Sequence, residues 1–81
     1  MSTAARRILG IDPGLAITGY GLIEGDTRQA HVIDYGVVRT KPSLARAERL
    51  HLIYKSVVAL LEKHHPQELA IEEPYVSKNV R

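Results

Sequence analysis

Residues 8–14, with the sequence Ile-Leu-Gly-Ile-Asp-Pro-Gly, decide how this chain folds. The apolar residues of this stretch form a short block that is typical of a buried strand. Pro13 cannot donate a hydrogen bond to a sheet, and Gly14 is able to take a positive φ, so we predict that the strand turns there. Asp12 is then the last residue of the strand, at the end of a sheet.

An acidic residue in this place has two interpretations. A carboxylate is costly to bury without a partner, so Asp12 could serve a bound cation or another polar group. Alternatively, Asp12 caps its own turn, because Asp before Pro-Gly often accepts hydrogen bonds from nearby backbone amides. Taken alone, the stretch favours the turn cap.

The length and composition indicate one small globular domain over residues 1–81, with 44% hydrophobic and 25% charged residues. There is no cysteine, which excludes disulfides and thiolate metal sites and fits a cytoplasmic protein. We find no apolar run of membrane-spanning length, so no membrane partner is expected. The net charge of +2 permits an acidic partner such as nucleic acid without requiring one.

Hydrophobic periodicity predicts the element order β-β-β-α-β. The predicted helix contains apolar residues at helical spacing, has Ser43 as its N-cap and ends before Pro66. The predicted elements are strands Arg7–Asp12, Ile17–Glu24 and Gln29–Thr40, helix Leu44–Lys63 and strand Glu68–Glu72.

Glycines mark special positions in the three-strand meander. Gly19 and Gly21 lie on one face of the second strand, which indicates close approach by a helix or another backbone. Gly25 and Asp26 mark a hairpin turn, and Gly36 is predicted to form a bulge in the third strand.

The topology brings two distant carboxylates together. A strand that follows a crossover helix usually runs parallel to another strand of the same sheet. If the last strand pairs with the first, Asp12 and Glu72 meet at one edge of the sheet. Carboxylate oxygens suit a hard cation, Mg²⁺ or Mn²⁺, and paired metals of this kind serve phosphodiester hydrolysis.

Four motifs taken together resemble the RuvC family of Holliday-junction resolvases, the crossover junction endodeoxyribonucleases. They are Gly10–Gly14, Thr18–Gly21, Ala70–Glu72 and Tyr75 with Ser77–Asn79, and their order and spacing carry the resemblance from Ile8 to Arg81. The resemblance implies an RNase H-like mixed sheet and metal-dependent, symmetric cutting of four-way DNA junctions by a homodimer in recombination and repair. It also implies junction branch-migration proteins as partners.

The resemblance assigns roles to particular residues. Asp12 and Glu72 match the first two of the family's four metal-site positions, and Tyr75 matches an aromatic residue used against junction bases. Lys78 and Asn79 either contact phosphate or begin the next helix. Family members are about twice as long, so we expect this chain to be the N-terminal half of such a domain, lacking the other two ligands and much of the dimer interface.

Other polar residues are interpreted as structural. His64 and His65 lie at the predicted C-terminus of the helix, where the dipole favours a cation, and no third ligand stands at metal spacing. Arg46 and Arg49 lie one turn apart on the helix, as surface charges commonly do.

Two other classes of protein remain as hypotheses. One is the N-terminal lobe of an actin-like ATP-binding fold, which also opens with a strand and an Asp-x-Gly turn. The apolar residues 15–17 stand where such a lobe places hydroxyl residues and a lysine for phosphate, which disfavours it. The other is a non-catalytic relative that only binds nucleic acid.

Overall fold

A computed structural model describes residues 5–72 and confirms the predicted order of elements. The strands begin and end within two residues of the predicted limits. The elements are β1 (Arg6–Asp12), β2 (Ile17–Gly25), β3 (Ala30–Arg39), α1 (Arg46–His64) and β4 (Glu68–Ile71).

The strands form one mixed sheet in the order β3-β2-β1-β4. The meander β1-β2-β3 is antiparallel, and β4 pairs with β1 in parallel, as predicted. The C-terminal ends of β1 and β4 therefore coincide at one edge of the sheet.

The core lies between α1 and one face of the sheet. Leu9 and Leu22, directly opposite each other on β1 and β2, are fully buried. The apolar side chains that pack around them are Ile11, Tyr20, Val57, Leu60 and Leu61. Within residues 5–72, no helix is long and apolar enough to cross a membrane.

The helix begins later than predicted, and Ser43 is not its N-cap. The N–H of Leu44 donates to the carbonyl of Lys41 at 3.1 Å, so residues 41–44 form a separate turn. Ala45 occupies the cap position, and the Glu48 carboxylate accepts its N–H at 3.2 Å. A capping box has two hydrogen bonds, one from the side chain of the cap residue and one to the backbone N–H of the cap residue. Glu48 accepts the second of these, which needs no hydroxyl on the cap residue.

The C-terminus of α1 is attached to the sheet through polar groups. His64 is buried, and its Nε2 lies 3.0 Å from Asp34 Oδ2 on β3. The Arg7 guanidinium donates to the carbonyl of His64 at 3.0 Å, a favourable charge at the negative end of a helix. The structural interpretation of His64 is confirmed.

We expect His64→Ala to loosen this end of the helix. The substitution removes the Asp34 partner, and a half-buried carboxylate without a donor costs about 1–3 kcal/mol. Amide hydrogen exchange in the last two turns of α1 measures this loss as faster opening. His51→Ala, at an exposed position on the same helix, is the control. Equal exchange rates in the two variants would contradict the assigned role.

The sequence predicted a bulge at Gly36, but the bulge in β3 lies at Ile33. Leu22 pairs with Asp34 and Ile23 pairs with Val32, so Ile33 is the extra residue. Gly36 has a different reason to be glycine. It stands opposite Tyr20, and a Cβ there would lie 2.8 Å from the Tyr20 hydroxyl oxygen.

The hairpin between β2 and β3 turns at Asp26, as predicted. Asp26 Oδ1 accepts the amides of Arg28 and Gln29 at 2.8 and 3.1 Å. These two hydrogen bonds lower the pKa of the Asp26 carboxyl below its ordinary value, and the one from the Arg28 amide has the larger effect.

The register of β4 is fixed where the strand begins. The backbone N–H of Gln67 donates to the carbonyl of Arg7 at 2.9 Å, and the Gln67 side chain accepts the Arg7 N–H at 2.7 Å. Arg6 also forms an ion pair with Glu68. A slip of one residue would turn every β4 side chain to the opposite face, so this anchor determines which face receives Glu72.

Candidate metal centre at the sheet edge

Asp12 and Glu72 occupy adjacent positions at the edge where β1 and β4 end. Ile11 is paired in parallel with Ile71, and Asp12 and Glu72 are the next residues on each chain segment. The ladder continues past β4, because the Glu72 N–H donates to the carbonyl of Ile11 at 3.0 Å. Neighbouring strands lie about 4.8 Å apart, so the two residues are close neighbours.

Both acids face the side of the sheet opposite α1. This side is a broad concavity of about 860 Å³. Its lining includes Asp12 and Glu72 together with Ile8, Gly10, Gly19, Gly21, Ile23, Tyr35, Val37 and Ala70. The two carboxylates therefore stand at one end of a mostly apolar surface.

The open face carries exposed apolar side chains. The most exposed of them come from β3, where Tyr35 is 77% and Val37 50% exposed. Leu69 and Ile71 on β4 are also exposed, but their partners Leu9 and Ile11 place them on the helix side.

Three glycines form the floor of the concavity. Gly10 is paired with Gly21, and Gly19 with Asp12, so all three lie on this face. The shared face of Gly19 and Gly21 was predicted, but the predicted close approach of a helix or another backbone to them is wrong within residues 5–72. A Cβ at Gly21 would meet nothing within 4 Å, and one at Gly19 would meet only the Asp12 Cβ, at 3.9 Å. Glycine at position 19 leaves room beside the Asp12 carboxylate.

Asp12 does not cap the turn that follows it. Among residues 5–72, no group donates a hydrogen bond to its carboxylate, and the side chain is exposed. The capping role belongs to Thr18, whose hydroxyl donates to the carbonyl of Gly14 at 2.7 Å and accepts the Gly14 N–H at 3.2 Å. The turn-cap interpretation of Asp12 is therefore wrong, and the carboxylate is available for another partner.

Gly14 is glycine because of close packing and not because of a positive φ. No glycine among residues 5–72 has a positive φ, which corrects the expectation for this turn. A Cβ on Gly14 would lie 2.3 Å from the carbonyl oxygen of Ile17, so the turn has no room for a side chain.

The donor set fits a hard divalent cation. Both groups are carboxylates, both are exposed, and the space over Gly19 is open. Mg²⁺ commonly keeps several waters and is held by one or two carboxylates. Two carboxylates therefore match the number of protein ligands that Mg²⁺ commonly has. In the part of the chain that the structure describes, no third His, Cys, Asp or Glu joins them.

The sequence interpretation missed a polar network beneath this edge. Arg49, interpreted as a surface charge, is half-buried and donates from Nε to the Thr40 hydroxyl at 2.8 Å. Thr40 in turn donates to the carbonyl of Leu15 at 2.6 Å, within the turn after Asp12. The only sequence signal for this network is a threonine at the end of the predicted third strand, which is too weak to indicate the partners.

The predicted DNA contacts Tyr75, Lys78 and Asn79 lie outside the described residues.

The mixed sheet, the crossover helix and the paired acids define an RNase H-like α/β protein, a fold shared with a solved RuvC structure. A family profile described as "Crossover junction endodeoxyribonuclease RuvC" matches residues 8–81. The chain belongs to the RuvC family. Among the interpretations of the sequence, this membership favours the resemblance to the RuvC family over the actin-like ATP-binding lobe.

Individual relatives agree with the family assignment. The RuvC of Fusobacterium nucleatum is 44% identical over 73 residues, which cover 90% of this chain and 38% of the relative. That of Synechocystis is 43% identical, covering 96% and 47%. The structure titled "T. thermophilus RuvC in complex with Holliday junction substrate" matches with TM-score 0.79 at 27% identity, covering 93% of this chain and 46% of that one. The chain thus spans about half the length of the relatives it matches.

Proposed function

We propose that this chain supplies the first two metal ligands of a divalent-metal-dependent endonuclease that resolves four-way DNA junctions in recombination and repair. The observation that carries the proposal is the adjacency of Asp12 and Glu72 on one open face of the sheet. Family membership supports the choice of junction DNA as substrate. Mg²⁺ or Mn²⁺ is the proposed cofactor, because both ligands are oxygen donors.

In this mechanism, Asp12 and Glu72 would hold the divalent cations, and Glu72 could instead orient the attacking water. When bound, such cations would supply activation of water and charge stabilisation at the scissile phosphate. The chain's own contribution is to fix the two carboxylates through the ladder of β1 and β4. The open face beside them leaves space for a DNA backbone.

The DNA contacts and the assembly are proposed from the family resemblance. Tyr75 stacks on an unpaired junction base, and Lys78 and Asn79 bind phosphate. A homodimer places two such centres on the two strands that are cut symmetrically, and branch-migration proteins deliver the junction in the cytoplasm.

The test uses a chimera in which the C-terminal part of a RuvC family member continues the chain after Arg81. We expect the chimera to cut a synthetic four-way junction with Mg²⁺ or Mn²⁺ and to leave a linear duplex of the same arm sequence intact. Binding of the junction without metal-dependent cutting would favour the non-catalytic nucleic-acid-binding alternative.

In the same chimera, we expect Tyr75→Ala to impair junction cutting more than duplex binding. Stacking on a splayed base is worth about 1–3 kcal/mol, whereas phosphate contacts provide most of the general affinity. The measurements are the fold-change in the single-turnover cutting rate and, separately, the fold-change in the duplex dissociation constant. Tyr54→Ala, which removes an exposed tyrosine from α1, is the matched control. Normal cutting by Tyr75→Ala would show that the ring only packs.

A further inference from the structure

The turn after Asp12 is held in place by hydrogen bonds donated to its backbone carbonyl groups. Residues 13–16 connect Asp12 to β2, and three successive carbonyls of this turn accept hydrogen bonds. Thr18 holds the carbonyl of Gly14, as described above. Thr40 holds the next two, because its hydroxyl donates to Leu15 at 2.6 Å and its backbone N–H donates to Ala16 at 3.0 Å.

Arg49 determines the direction of the Thr40 hydroxyl. A guanidinium has donors only, so the Arg49 Nε–H must donate to Thr40 Oγ1, at 2.8 Å. The single hydroxyl proton of Thr40 is then directed to Leu15. A hydrogen bond from a charged donor also polarises the hydroxyl and strengthens the bond that it donates.

The network joins three elements at a protected place. Thr40, just after β3, is only 7% exposed, and Arg49 on α1 is half-buried. Arg49 also lies 3.5 Å from the backbone carbonyl of Thr40 through Nη2. A polar network that replaces water contacts in this way holds its members in one arrangement.

We propose that Arg49, acting through Thr40, is a positioning residue for the Asp12 carboxylate. The inference rests on the proposed metal-binding role of Asp12. Within residues 5–72, the Arg49 guanidinium donates hydrogen bonds to Thr40 and none to the Asp12 carboxylate. It fixes residues 14–16, and this turn sets the backbone at the residue that carries the ligand. Mg²⁺ requires near-ideal octahedral geometry, so a small displacement of one ligand lowers its affinity.

The test uses the 81-residue chain with Mn²⁺ as the probe. Thr40→Val removes the hydroxyl at nearly constant shape, Thr40→Ser restores it, and Arg49→Met removes the guanidinium. Arg46→Met removes an exposed guanidinium three residues earlier on the same helix. The measurements are the Mn²⁺ dissociation constant by paramagnetic broadening, the Asp12 carboxyl ¹³C signal without metal, and thermal unfolding.

We expect Thr40→Val and Arg49→Met to weaken Mn²⁺ binding by about 10- to 100-fold, as removal of groups that orient metal ligands does. The Asp12 carboxyl signal should shift in both variants and return in Thr40→Ser, while Arg46→Met matches the parent chain. If Thr40→Val does not fold, Arg49→Met decides the question, because it leaves the hydroxyl in place.

Two results would overturn the positioning role. One is an unchanged Asp12 carboxyl signal in a folded Arg49→Met variant. The other is an equal loss of Mn²⁺ affinity in Arg49→Met and Arg46→Met. Failure of both the parent chain and the chimera to bind Mn²⁺ would instead refute the proposed function, and the carboxyl signal would still decide whether Arg49 positions Asp12.

Discussion

Asp12→Asn is expected to weaken Mn²⁺ binding by this chain more than about 100-fold, beyond the 10- to 100-fold typical of groups outside the ligand shell. Asn keeps the size of the side chain and one oxygen acceptor but removes the negative charge. Because no donor among residues 5–72 bonds the Asp12 carboxylate, the substitution leaves the described hydrogen bonds intact. The loss should therefore appear in binding and not in unfolding. In the chimera, the same change should abolish junction cutting.

Asp26→Asn is the matched control for this experiment. It makes the same change of charge in the turn between β2 and β3, and the Asn oxygen can still accept the amides of Arg28 and Gln29. We expect it to bind Mn²⁺ like the parent chain. If Asp12→Asn binds Mn²⁺ as tightly as Asp26→Asn does, Asp12 is not a metal ligand and the proposed function fails.

Residues 1–81 alone are expected to bind DNA weakly and to leave a four-way junction uncut when Mg²⁺ or Mn²⁺ is present. In the described residues, two carboxylates are the whole ligand set, and water cannot fix two metals at the required spacing. The concave face also exposes Tyr35 and Val37, and β4 exposes Leu69 and Ile71 at an open edge. An uncovered apolar face beside an open edge favours association between copies.

The chain should accordingly be poorly soluble or loosely packed. The check is a junction-cutting assay with Mn²⁺, with a thermal melt and light scattering on the same sample. Adding the remainder of a family member, as in the chimera, should improve both cutting and cooperativity of the melt. Metal-dependent cutting by the 81 residues that is lost in Asp12→Asn, with a cooperative melt, would show that they form a complete enzyme.

Much of the fold could be predicted because its signals are local. The short apolar block before Asp12, the Pro-Gly turn and the helical spacing of apolar residues each indicate one element without reference to the others. One general rule, that a crossover helix returns the chain to a parallel strand, then places Asp12 beside Glu72. The candidate site was predictable for the same reason, since it depends on strand ends and not on side-chain packing.

The errors concern hydrogen bonds and strand pairings that residue types alone do not reveal. The helix begins at Arg46 because residues 41–44 close a turn of their own, and a backbone acceptor cannot be identified from residue types. The bulge at Ile33 depends on the pairing of two strands, and the sequence of one strand does not reveal it. Arg49 lies on a helix that is mostly solvated, and its contact with Thr40 depends on where β3 ends.

The parallel pairing of β1 with β4 has a consequence for the order of folding. Arg7 and Gln67, which anchor that pairing, are separated by 60 residues along the chain, whereas the meander joins sequence neighbours. Closing a long loop costs more entropy than closing a hairpin, so the meander should form early and β4 should join late. Asp12 is thus in place before its neighbour arrives, and the two-carboxylate arrangement exists only once the slowest pairing is complete. A cation bound by both acids links β1 and β4, and by mass action it stabilises this late pairing.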